Sequence, residues 1–136
     1  MVKIICGNKG AGKTKRIIAA ANDAAVNQEK CVAYLYVNKK YMFELDHKVR
    51  FIDTSEYGIK GAYLFLGFIN GLVASNFDLN MVCVDGFLKH MDRPIDQLDD
   101  LMNRLNELSV NHHIDIYLSI SADKSELTPV MKQFVI

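Results

Sequence analysis

Gly7, Gly12, Lys13 and Thr14 stand at the spacing Gly-x-x-x-x-Gly-Lys-Thr, the pattern of a phosphate-binding loop. Glycines at 7, 10 and 12 permit tight turning and close approach of a phosphate to the backbone. Successive N–H groups and the start of a following helix would then cradle an anion. Lys13 would reach the β- and γ-phosphates, and the Thr14 hydroxyl would hold Mg²⁺. Gly7, Asn8, Lys9, Gly10, Ala11, Gly12, Lys13, Thr14 and Lys15 are therefore the candidate nucleotide-binding residues. A second candidate is Asp85, the acid that closes Met81-Val82-Cys83-Val84-Asp85. An aspartate at the end of a buried strand holds Mg²⁺ directly or through water in phosphate-binding-loop proteins. Lys13 and Asp85 are the candidates for catalysis, and Thr14 and Asp85 for the metal. The nucleotide is expected to be ATP with Mg²⁺, with GTP as the alternative.

These residues need strands and helices to hold them. Val2-Lys3-Ile4-Ile5-Cys6 reads as a buried strand leading into the loop, and Lys15 to Gln28 as the helix leaving it. Cys31 to Val37 is a near-continuous apolar run, as in a parallel strand covered on both faces. Asn38 to Lys48 reads as a loop with a short helix. Val49 to Asp53 is a further strand, with Thr54 or Ser55 placed to cap the segment after it. A helix over 60–75, a strand over 81–85, a helix opened by Asp92, Arg93 and Pro94 and a strand over 114–120 complete the series. In the third helix Asp100 and Arg104 have the spacing of an i,i+4 pair. After Pro129, Phe134-Val135-Ile136 reads as a last short strand. Strands alternating with helices predict an α/β fold with a mostly parallel sheet.

Composition narrows the classes. The 136 residues suit one domain, 1–136, and half of them are hydrophobic, enough for a core. Sixteen basic residues balance sixteen acidic ones, so no global field attracts nucleic acid or an anionic membrane. Cys6, Cys31 and Cys83 lie in strand-like runs and read as small buried hydrophobes, not a disulfide frame or metal site. No secretory signal is visible, and the expectation is a cytoplasmic protein. His112 and His113 read as solvated residues at a helix end. Gly61 to Phe77 carries no charge, but Gly67, Asn70, Gly71, Ser75 and Asn76 interrupt it. A membrane-spanning helix needs about 20 predominantly apolar residues. The stretch is expected to be a helix buried on most sides, or one that meets a second copy or another protein.

With both motifs in hand, Gly7 to Thr14 and Met81 to Asp85 resemble the Walker A and Walker B elements of the P-loop NTPases. Their spacing, and the strand Ile114 to Ser121 that comes after them, is similar to the RecA-like branch. The resemblance implies a three-layer α/β/α fold with a five- to six-stranded sheet. From one edge it implies the order terminal strand, loop strand, sensor strand, Walker B strand, then the strands near 49–53 and 31–37. It also implies a polar sensor on the strand between the two Walker strands, where Ser119 or Ser121 stands. Members of the branch that hydrolyse ATP usually carry Glu directly after the Walker B Asp, whereas this chain has Gly86 and then Phe87. Asp53 or Glu56 would have to substitute. Arg93 and Arg104 read first as solvated helix residues and second as arginine fingers toward a neighbouring subunit. The expectation is a slow or partner-activated NTPase. A small nucleoside or metabolite kinase, and a nucleotide-responsive interaction module without catalysis, are the two alternatives.

Overall fold

Period-two alternation decides which layer each strand residue meets. Ile4, Ala33, Leu35, Val82, Val84, Ile116, Leu118 and Ile120 point to one face of the sheet, and Ile5, Val32, Tyr34, Tyr36, Met81 and Cys83 to the other. The computed structural model describes all residues, 1–136. In it β1 (Val2–Gly7), β2 (Cys31–Tyr36), β3 (Val49–Asp53), β4 (Leu79–Val84) and β5 (Asp115–Ser121) form one sheet in the order β1-β5-β4-β2-β3. Every ladder in it is parallel. Helix α1 (Lys13–Val26) covers one face with Ile17, Ile18, Ala21, Ala24 and Ala25, and its small residues let it lie close to the strands. Helices α2 (Ala62–Ser75), α3 (Asp99–His112) and the short α4 (Pro129–Lys132) cover the other. Three layers result, as expected.

The expected placement of two strands is reversed. β2 pairs with β4, and β3 takes the edge. The reason lies in the residues: β2 is buried from Val32 to Tyr36, whereas β3 carries exposed Arg50, a charge that an edge strand tolerates and a central one does not. The expected terminal strand shrinks to a single bridge. Ile4 N–H donates to Phe134 and Ile136 N–H donates to Ile4, with no further ladder.

Other boundaries differ for local reasons. Asp53, not Thr54 or Ser55, caps the short turn after β3, because its carboxylate accepts the Ser55 N–H. Asp92 does not open α3, which starts at Asp99. Its carboxylate instead accepts the Ala62 N–H at 3.2 Å and so caps α2 across the chain. Helix α2 is buried on one face only, through Phe65, Ile69, Leu72 and Val73, while Tyr63 and Leu64 are exposed. No helix is long and apolar enough to cross a membrane. Of the cysteines only Cys83 is buried; Cys31, at the start of β2, is exposed, contrary to expectation. His112 and His113 are exposed as expected, and His113 takes the left-handed conformation that ends α3.

Candidate functional site

β1 hands the chain to α1 through residues 8–12. Only glycine fits at the end of β1, because a Cβ on Gly7 would meet the Ala11 Cβ at 2.8 Å. Gly12, at φ 81°, caps α1 without a side chain, and no acid occupies the first turn. The positive end of α1 is thus left open for an anion. Lys13 is nearly buried, and its Nζ folds back to donate to the Asn8 carbonyl at 3.0 Å. Lys9, Gly10, Gly12, Lys13, Thr14 and Lys15 line a cavity of about 700 Å³, with Gly7, Asn8 and Ala11 shaping the loop behind them.

Asp85 lies across the cavity, just past the end of β4, and is 2 % exposed. Three hydroxyls from three elements converge on its carboxylate. Thr14 Oγ1 of α1 donates to Oδ2 at 3.0 Å, Tyr34 Oη of β2 to the same oxygen at 2.9 Å, and Ser119 Oγ of β5 to Oδ1 at 2.5 Å. Ser119 Oγ in turn accepts the Gly86 N–H at 2.8 Å. Burial, and next the charge of Asp85, push the Tyr34 hydroxyl well above its ordinary range, so it stays a donor. The same two causes raise the Cys83 thiol. Hydroxyl donors orient the carboxylate but leave its negative charge uncancelled. A hydroxyl and a carboxylate side by side suit Mg²⁺, which takes one or two protein oxygens and fills its shell with water and phosphate. No group of three or more His, Cys, Asp or Glu gathers anywhere, so an all-protein metal cage is absent.

The far wall was not legible in the sequence. Tyr36, Lys40, Tyr41 and Lys89 line the same cavity. The Lys89 ammonium donates to Tyr36 Oη at 2.9 Å, a bond that holds its pKa above the ordinary lysine value. Gly86 adopts φ 63°, and a Cβ there would meet Lys89 Cδ at 3.1 Å and Tyr36 Cε1 at 3.3 Å. Any side chain at position 86 would thus crowd the Lys89 stem and the Tyr36 ring. Alternation along β2 was the one available signal, since it puts Tyr34 and Tyr36 on a common face.

The remaining candidates fall elsewhere. Asp53 and Glu56 both bind Lys39 and do not line the cavity. The Ser55 hydrogen bond, with Lys39 contributing, keeps the Asp53 carboxyl below its usual range. Arg93 pairs with Asp92 at 3.1 Å and lies over the Tyr63 ring, and Arg104 pairs with Asp100 at 3.0 Å. Neither arginine reaches the cavity. Ser119 and Ser121 both do.

No family model matches the chain, and no curated protein matches it. Among solved structures it is similar to a KaiC-like protein from the hyperthermophilic archaeon Pyrococcus horikoshii OT3, with a TM-score of 0.71 and 14% identity over 98% of this chain and 68% of that one. At that identity the likeness shows the fold alone: a three-layer α/β fold whose parallel sheet has the RecA-like order β1-β5-β4-β2-β3.

Proposed function

We propose that the chain is a Mg²⁺-dependent ATP- or GTP-binding P-loop protein whose own hydrolysis is slow and whose activation depends on a partner. One observation carries the reading: Thr14 and Asp85, far apart in sequence, meet at 3.0 Å on the rim of the cavity that the glycine loop and Lys13 line. Bound Mg²⁺ would neutralise charge on the β- and γ-phosphates. Lys13 would exchange the Asn8 carbonyl for phosphate oxygens, and the loop and the start of α1 would hold the rest by N–H donation. Thr14 and Asp85 would hold the metal.

Slow turnover is the consequence of what the cavity lacks. In-line attack needs an oriented water. Asp85 is the single carboxylate lining the cavity, and the three hydroxyls that bind it leave it poorly placed to serve as a base. The kinase alternative is disfavoured by β5, which separates β1 from β4 as in the RecA-like branch. The exposed face of α2 keeps a second copy or a protein partner as the proposed source of activation.

Calorimetric titration with Mg²⁺ and either nucleotide tests the reading. Lys13→Ala is expected to weaken binding at least about tenfold, the equivalent of one charged hydrogen bond. Equal, measurable affinity in wild type and Lys13→Ala would defeat the assignment.

A further inference from the structure

The cavity holds more positive charge than a nucleotide with its metal removes. Lys9, Lys13, Lys15, Lys40 and Lys89 face the lone carboxylate of Asp85, five charges against one, a surplus of four. None of the five pairs with an acid. A magnesium-bound nucleoside triphosphate carries about two net negative charges, which leaves about two unmatched. The loop lysines stand at the triphosphate end, so the unmatched pair is Lys40 and Lys89.

Those two are joined by aromatic rings. Lys40 Nζ lies 5.3 Å from the Tyr41 centroid, the Tyr41 and Tyr36 rings are 4.9 Å apart, and Lys89 Nζ lies 5.2 Å from the Tyr36 centroid. The Tyr36 hydroxyl accepts from Lys89, so its own proton is free to donate. Asp85 is the one carboxylate that lines the cavity, and Asp53 and Glu56 bind Lys39 outside it. Two ammonium groups and two phenol protons, with no carboxylate among them, match a doubly negative group made of acceptor oxygens.

We propose that Lys40, Tyr41, Tyr36 and Lys89 form a second anion site beside the triphosphate, one that takes a phosphate dianion. Its charge balance rests on the triphosphate reading. Inorganic phosphate and a phosphomonoester share this chemistry. The first would make the site a holding place for released product, the second a site for a separate phosphorylated ligand.

The test saturates the protein with Mg²⁺ and the β,γ-imido analogue of ATP, then titrates inorganic phosphate and phenyl phosphate by calorimetry. Saturable binding of either anion is expected, weakened about tenfold or more by Lys40→Gln/Lys89→Gln, with analogue affinity falling clearly less than anion affinity does. A clear preference for inorganic phosphate assigns the product role, and one for phenyl phosphate the phosphomonoester role. The proposal is overturned if neither anion binds the loaded wild type. It is equally overturned if the double variant loses analogue affinity by the same tenfold, because the lysines then belong to the triphosphate. Failure of wild type to bind any nucleotide would sink the triphosphate reading instead. The two anion titrations on nucleotide-free protein, wild type against double variant, would then decide the second site by the same criteria.

Discussion

Gly86 follows the metal-binding candidate Asp85, where the resemblance implies a water-orienting glutamate, and its surroundings crowd any side chain placed there. The left-handed backbone disfavours a side chain by about 1–2 kcal/mol, and the Lys89 stem and Tyr36 ring crowd the space a Cβ would take. Gly86→Glu is therefore expected to lower stability by at least about 1 kcal/mol without producing a vigorous hydrolase. Urea midpoints and single-turnover phosphate release check the two halves. A Lys13-dependent rate near 10 s⁻¹, typical of enzymes, in either protein would refute the account. At this scale the turn between β1 and α1 was legible, because its signal is local spacing in Gly7 to Thr14. The Tyr34 and Ser119 bonds to Asp85 depend on strand neighbours. Lys89 depends on the turn at Gly86, which folds the chain back over Tyr36.

Helix α2 separates what apolar content predicts from what packing decides. Its composition suggested burial on most sides, yet only the stripe through Phe65, Ile69, Leu72 and Val73 meets the core. Phe65 is fully buried and meets Phe87 edge-on at 5.7 Å, whereas the neighbouring Leu64 is 62 % exposed. Phe65→Ala is expected to cost about 3–5 kcal/mol, and Leu64→Ala to stay within about 0.5 kcal/mol. Comparable losses in chemical denaturation would mean that the helix is rotated from the position described. The exchange of β2 and β3 teaches the same lesson for strands. The five strand segments were readable from apolar runs, but their lateral order depends on long-range pairing. Arg50 was the single residue that spoke for the edge.

Acid sensitivity belongs to the molecule as a whole. His90 is buried, bonded to Thr54 and to the Gly86 carbonyl, and burial holds its pKa below the ordinary 6.5 against the opposing pull of that carbonyl and Asp85. An imidazole that resists protonation when folded contributes stability above pH 6.5, lost as pH falls through its folded value. Asp23, Asp53, Asp92 and Asp123, all held low chiefly by side-chain hydrogen bonds, behave likewise below their ordinary 3.8. Melting temperature should therefore fall in two stages on acidification, and His90→Gln should remove the upper one. A Tm that rises between neutral pH and pH 5 in wild type would contradict the sign. The ring pair at the far wall has a different consequence. The chain has six tyrosines and no tryptophan, so its ultraviolet emission comes from phenols alone. Tyr36 and Tyr41 line the cavity, while Tyr34 binds a carboxylate, an arrangement that dims a phenol by drawing off its proton in the excited state. A ligand that enters the cavity and touches Tyr36 or Tyr41 is therefore expected to change the protein's own emission, without a dye or a label.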